Sequence, residues 1–318
     1  MKDLCTKYDI PTANYARFND CDSAKDYVRL QGAPIVVKAD GLAAGKGVIL
    51  CRNKTEAHAA IDLMMTQDAF GEAGAELVIE EFMVGEEASF FALVDGENAL
   101  PLVAAQDHKA VGDGDTGPNT GGMGAYSPSR LIDDELENKI INKIIRPTLK
   151  GLSAIGTEYK GFLYSGLMIV DKEPYLIEYN VRMGDPECQT ILPKLSSDIA
   201  DIFIASCEGN LDKINIEWLN KKSLCVVLCS KGYPDEFKKN IEINNLNKID
   251  LSDQDFLFHA GTIIKNNKIF SSGGRVLNFV SLSNNFIDAK KNIIKKISKL
   301  DWPGGFYRKD IGYKVIEN

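Results

Sequence analysis

Hydrophobic and polar positions change their period several times along this chain, and each change marks an element. Ala24 to Leu30 carries a helical repeat, with Asp22-Ser23 available as a cap and Gly32 as a stop. Pro34 then introduces the β-branched run Ile35-Val36-Val37, with Lys38 at the end of a buried strand. Ala39 to Gly47 is too rich in glycine for regular structure, and Val48-Ile49-Leu50 resumes a strand. A helix capped by Asn53 or Thr55 follows, with Ala57, Ala60, Ile61, Met64 and Met65 at helical spacing, before the strand Leu77-Val78-Ile79. Residues 18–84 thus predict a small α+β unit with a glycine loop near its tip.

Glu86 to Val94 and Pro101 to Ala105 read as strands of a second sheet. From 106 to 128 periodicity is lost among glycines and Pro118 and Pro128, and so long a loop in a compact domain points to function or disorder. Asp133 to Leu149 predicts a helix with Leu136, Ile140, Ile144 and Ile145 on one stripe. Phe162 to Val170 and Tyr175 to Tyr179 read as adjacent strands turning at Asp171 to Pro174, and Ser197 to Cys207 as a capped helix. Near residue 210 the composition shifts towards Lys, Asn and Ile, which predicts a boundary. Beyond it come strands at Leu224 to Cys229, Phe256 to Ile264 and Gly273 to Leu277. The last helix sets Phe286, Ala289, Ile293, Ile297 and Leu300 opposite a solvated face of Lys290, Lys291, Lys295 and Lys296. There is no internal repeat.

Composition narrows the class. The 318 residues are 44% hydrophobic and 26% charged, a globular balance long enough for two or three domains. No apolar run is long enough to span a membrane, and the first residues lack the apolar core of a signal peptide. With 37 Lys and Arg against 45 Asp and Glu, the net charge of −8 argues against a nucleic-acid binder, so any phosphate must be held by local cations and a metal. Seven scattered cysteines without a CxxC pair, beside three histidines, fit the reduced cytoplasm better than disulfides or a zinc site.

Three segments carry candidate chemistry. Gly41 to Gly47 is not a Walker A loop, because Gly47 stands where Ser or Thr is needed and a strand follows. A mobile glycine loop can still lay backbone N–H groups over phosphates while Lys46 and Lys38 supply charge; a plain hairpin with an exposed lysine is the alternative. Gly112 to Gly117 spells G-x-G-x-x-G, yet no strand feeds it and no helix follows, so a dinucleotide site is discarded. The run Gln106 to Gly124 is either a substrate-covering loop or a surface Ω-loop. In Leu176 to Asn180, Glu178 and Asn180 share a strand face at period 2 and Arg182 extends the row. Two oxygen ligands beside a guanidinium suit Mg²⁺ bridging nucleotide phosphates, against the alternative of a surface strand with a paired Glu and Arg. Glu80 to Glu87 reads as a charged connection or an adenine hinge, Cys225 and Cys229 as core, and His58 as an exposed helix residue.

Val36 to Val48, Asp115 to Pro128 and Ile177 to Glu187 closely resemble the phosphoribosylamine–glycine ligases, a family of the ATP-grasp superfamily, and Phe258 to Thr262, Gly273 to Val276 and Arg308 to Gly312 extend the similarity over nearly all the chain. The resemblance implies an α+β ATP-grasp fold, two α+β subdomains gripping ATP, with a small C-terminal α/β domain. The expected division is 1–17 with 85–215 as the larger subdomain with the metal site, 18–84 as the lid, and 216–318 as the C-terminal domain. The implied reaction joins glycine to 5-phosphoribosylamine through glycyl phosphate, with ATP hydrolysed to ADP and phosphate. By motif position Lys38 and Lys46, with Gly45 and Gly47 beside it, contact ATP phosphates; Glu80, Glu81 and the backbone at Met83 hold adenine, and Glu87 the ribose. Glu178 and Asn180 ligate Mg²⁺ or Mn²⁺, and Arg182 and Lys46 act in catalysis. Asp107, His108, Lys109, Asn119, Thr120, Asp185 and Arg275 line the pocket for glycine and 5-phosphoribosylamine. Where many ATP-grasp enzymes place a second acidic metal ligand, this chain has Tyr164-Ser165.

Family members begin with a Rossmann-like domain of roughly a hundred residues that this sequence lacks, so the resemblance implies a truncated gene, a fragment or a split enzyme whose partner polypeptide supplies it. Two other readings stay open: another ATP-grasp ligase or carboxylase of purine metabolism, against which Asp115 to Pro128 and His259 to Thr262 argue, and an ATP-binding module without turnover.

Overall fold

The computed structural model describes residues 1–41, 47–67, 69 and 71–316. Its packing divides the chain into two units, Met1–Glu86 with Met168–Ile177, and Glu87–Leu167 with Glu178–Asn318.

The first unit is built on an antiparallel sheet in the order Tyr15–Phe18, Leu77–Glu81, Ile35–Ala39, Val48–Cys51. Alternation sorts its two faces. Ile35, Val37, Leu77 and Ile79 turn towards helices Cys21–Gln31 and Lys54–Ile61, whose Ala24, Val28, Ala57 and Ile61 complete a buried core. Lys38 and Glu80 share the opposite face, since Val36 pairs with Glu80 and Lys38 with Val78. Helix Cys21–Gln31 is capped by Asp20, whose side chain accepts from the Ser23 N–H at 2.8 Å, two to three residues before the expected Asp22-Ser23 cap. Residues 1–17 were expected in the larger subdomain. They pack instead with the lid, because Tyr15–Phe18 pairs with Leu77–Glu81 and Lys2 reaches Glu80.

The second unit contains an antiparallel sheet in the order Asp255–His259, Arg275–Ser283, Lys222–Ser230, Gly124–Ser127, Gln106–Asp107, with Gly305–Phe306 also on Lys222–Ser230. Lys222–Ser230 is buried at every position after the first, which explains its unbroken apolar run. Helix Phe286–Ile297, capped by Asn285, lays Ala289, Ile293 and Ile297 on that sheet, and Leu300 lies past its end. Because Gly124–Ser127 and Gln106–Asp107 are strands of this sheet, residues 216–318 do not form a separately packed body, and the aperiodic stretch 106–128 is a set of short strands. Strands of two to four residues are too short to show a hydrophobic period. Other differences are local. The strand expected at Pro101 to Ala105 is Ala99–Pro101, Phe256 to Ile264 breaks into Asp255–His259 and Thr262–Lys265, and the helix from Asp134 runs to Ala154 through a π-turn at Ile141–Ile145.

Candidate functional site

In the first unit, the chemistry centres on one carboxylate. Glu80 is 4% exposed and takes Lys38 Nζ at 2.8 Å on one oxygen and Lys2 Nζ at 3.2 Å on the other. Lys2 is as deeply buried and also donates to Thr12 Oγ1 at 2.7 Å and the Ala13 carbonyl at 3.3 Å. Burial pushes the Lys2 ammonium below its ordinary range, against the pull of Glu80, and Lys38 adds to the downward push. Glu80 was expected at adenine. Held between two lysines, it fixes the Lys38 ammonium, and the cluster keeps one more positive than negative group. Lys2 was missed, since nothing in its surroundings in the sequence sets it apart from Lys7. The Glu81 carboxylate accepts from Asn14 N–H at 3.0 Å and Asn14 Nδ2 at 2.8 Å. Strand Leu77–Glu81 ends there, and the main chain of Met83, beyond it, makes no hydrogen bond among the described residues. Gly47 accepts from the Ala39 N–H at 2.8 Å, closing the base of the glycine loop; Gly45 and Lys46 lie outside the described residues.

In the second unit, alternation along 106–109 separates two clusters. Asp107 and Lys109 face one way with Glu87, whose carboxylate lies 2.8 Å from Lys109 Nζ. Burial works against the Lys109 charge, but Asp107 and Glu87 outweigh it and raise its pKa; burial raises that of Asp107. Glu187 joins this side. It is 4% exposed and accepts from Ser89 Oγ at 3.1 Å, and Ser89 Oγ lies 3.2 Å from the Tyr164 hydroxyl. Burial and then Asp107 push Glu187 up to about 7. Gly184 lies against this carboxylate, where a Cβ would sit 2.4 Å from Glu187 Oε2 and displace it. Glu187 closes the Ile177 to Glu187 motif with no role legible from its neighbours in sequence, and only its burial reveals it.

His108 faces the other way and was expected at substrate. It is buried, its Nε2 accepts from the Gly312 N–H at 3.1 Å, and its Nδ1 lies 3.7 Å from Asp115. It belongs to a knot around Arg308, itself 2% exposed, which donates to the Ala110 carbonyl at 3.0 Å, Asp115 at 2.8 Å and Asp310 at 2.8 and 2.6 Å. Tyr313 and the Gly114 N–H complete it, on Asp115 and Asp310 at 2.8 Å each.

Glu178 and Asn180 project together, with Asn180 Nδ2 3.1 Å from Glu178 Oε1 and Gly166 beneath Glu178. A half-turn of the amide would present two oxygens, which fits Mg²⁺ or Mn²⁺ completed by phosphates and water. Ser165 has a buried, unpartnered hydroxyl where a further acidic ligand was sought, and no cluster of three acidic, His or Cys ligands occurs among the described residues. Arg182, past the strand end at Asn180, is exposed and among the described residues donates only to the Met183 carbonyl, at 3.0 Å. Asp185 and Arg275 come together, but as a clasp. Arg275 donates to Asp185 Oδ2 at 3.0 Å and to the carbonyls of Asp185 at 2.6 Å and Gly121 at 2.8 Å. Gly122, at φ +118°, passes where a Cβ would lie 2.5 Å from Pro186. Thr120 Oγ1 donates to the Lys109 carbonyl at 2.8 Å, while Asn119 is exposed on strand Thr116–Asn119.

Family models match two stretches: phosphoribosylglycinamide synthetase, ATP-grasp (A) domain, over residues 1–188, and the C domain of the same enzyme over 223–314. A phosphoribosylamine–glycine ligase of Brucella melitensis is 50% identical over 316 residues, covering 99% of this chain and 74% of that protein. The crystal structure of a phosphoribosylamine–glycine ligase from Thermotoga maritima superposes with a TM-score of 0.89 at 33% identity, covering 98% of this chain and 77% of that one. The biotin carboxylase domain of Hydrogenobacter thermophilus 2-oxoglutarate carboxylase, solved with MgADP and bicarbonate, has a TM-score of 0.70 at 17% identity over 96% of this chain and 66% of that one, a likeness of fold alone.

Proposed function

The chain belongs to the phosphoribosylglycinamide synthetase family, the phosphoribosylamine–glycine ligases, with an ATP-grasp fold, and we propose that it joins glycine to 5-phosphoribosylamine at the expense of ATP, through glycyl phosphate, in purine biosynthesis. The observation that carries this reading is the strand face of Glu178 and Asn180, followed by Arg182, an arginine with no carboxylate partner among the described residues. Those two oxygens would hold Mg²⁺ or Mn²⁺, which neutralises phosphate charge when bound. Arg182 would steady the transferring phosphoryl group. Lys38, its ammonium fixed by Glu80, would bind phosphate, and Lys46 is proposed beside it from its motif. The free main chain at Met83, with Glu80 and Glu81 just before it in the chain, is proposed to hold adenine. Glu87, paired with Lys109, is proposed at the ribose. Asp107, Lys109, Asn119 and Thr120 are the proposed contacts for glycine and 5-phosphoribosylamine, with Arg275 and Asp185 shaping the backbone around them.

No helix is long and apolar enough to cross a membrane among the described residues, and the net charge of −8 disfavours nucleic acid, which supports small-molecule partners and work in the cytoplasm. The test is phosphate release with ATP, Mg²⁺, glycine and freshly made 5-phosphoribosylamine. Glycine-dependent release is expected. Release only after adding a separately made N-terminal domain of a relative would identify a two-polypeptide enzyme, and ATP binding without release in either case would overturn the ligase reading in favour of a binding module.

A further inference from the structure

We propose that Glu187 accepts the proton that the attacking amine loses when the amide bond forms. The assignment rests on the ligase reading. In that step the amine lone pair forms the C–N bond at the glycyl carbonyl carbon, the bond from that carbon to the phosphate oxygen breaks, and phosphate leaves with the electron pair. The proton left on nitrogen passes to the Glu187 carboxylate and from there to solvent.

Four observations carry it. The carboxylate is held by Ser89 Oγ at 3.1 Å and lies against Gly184, where a Cβ would come within 2.4 Å of Glu187 Oε2. It has no ion-pair partner among the described residues, whereas Glu87 has Lys109. The groups that face it are Asp107, Lys109, Tyr164, Cys188 and Cys225, so with Glu87 the cluster holds three carboxylates and one ammonium. Such a surplus of negative charge favours taking up a proton. Burial followed by Asp107 sets its pKa at about 7, where a carboxylate is both available as a base near neutrality and strong enough to use. Asp107 is the rival, but Lys109 acts on it more strongly than any group after burial and favours its charged form, whereas Lys109 is the weakest of the influences on Glu187.

The experiment compares the pH dependence of kcat for the wild type, Glu187→Gln and Ser89→Ala, with positional isotope exchange in ATP measured in parallel. The wild type is expected to lose rate on the acid side with an apparent pKa near 7. Glu187→Gln is expected to lower kcat about 100-fold and abolish that acid limb, while glycine-dependent isotope exchange, which reports only the first half-reaction, stays within about twofold. Ser89→Ala removes a hydrogen bond to the charged form, so it moves the limb to higher pH, and it decides the matter should Glu187→Gln fail to fold. An unchanged acid limb in either folded variant, or loss of isotope exchange together with amide formation, overturns the assignment while leaving the ligase reading intact. A wild type that makes no product with every component supplied overturns both.

Discussion

The first unit and the second unit both bury ionisable side chains, but with opposite balance. Around Glu80 there are two lysines to one carboxylate; around Glu187 there are three carboxylates to one lysine. The knot at Arg308 supplies the contrast, with Arg308 and Lys314 set against Asp115 and Asp310. Buried charge that is balanced holds a fold together, whereas an imbalance leaves capacity for something that arrives later: an anion at the first cluster, a proton or cation at the second. The same residue types thus serve structure or chemistry according to their local sum.

The comparison can be broken by changing one charge at a time. The largest effect is expected from Glu178→Gln, which removes a metal-bridging carboxylate: turnover should fall by about 1,000-fold or more in the phosphate-release assay, with an unchanged circular dichroism spectrum. Arg308→Met leaves two carboxylates without their main cation and should cost about 3–5 kcal/mol in urea denaturation; a loss under about 1 kcal/mol would show the knot is not structural. Lys38→Met reduces the surplus at Glu80 and should weaken ATP binding about 10- to 100-fold by calorimetry while the protein still folds.

Smaller effects follow from the titrations. Lys194 is 3% exposed and among the described residues donates only to Ser127 Oγ, at 3.3 Å, and burial, then Lys222, push its pKa down to about 8 from 10.5. Between those values the unfolded chain holds more protons than the folded one, so stability should rise with pH across that window. Lys194→Met should stabilise the protein by about 1–3 kcal/mol at pH 7 and abolish the rise. At the acid end, Asp310 is held at about 2, where Arg308 and the Gly114 N–H outweigh burial. A depressed carboxylate stabilises above its unfolded pKa, so this contribution should fade from about pH 4 downwards as pH falls through the folded value. Asp310→Asn should flatten that part of the stability curve.

How much of this was legible from the residues depended on period. Ile35-Val36-Val37 and Leu77-Val78-Ile79 announced their strands as short apolar runs rich in β-branched residues, and the period of two in a strand put Glu178 and Asn180 on a shared face. Residues 106–128 did not, because their strands are two to four residues long and pinned by distant side chains. His108 stood between two candidate residues and was grouped with them, though its neighbours in a strand face the other way. Lys2 and Arg308 act through partners 78 and 193 positions off by number, and no local pattern encodes such a pairing.

Those partners have a consequence for how the protein is made. The Gly112 to Thr120 segment is fastened through bonds spanning 193 to 198 residues to Arg308, Asp310 and Tyr313. At about 5–20 residues per second, synthesis leaves that segment waiting roughly 10–40 s for its anchors. During that interval a glycine-rich stretch of the proposed substrate pocket has no fixed conformation, so the pocket is among the last features a nascent chain completes.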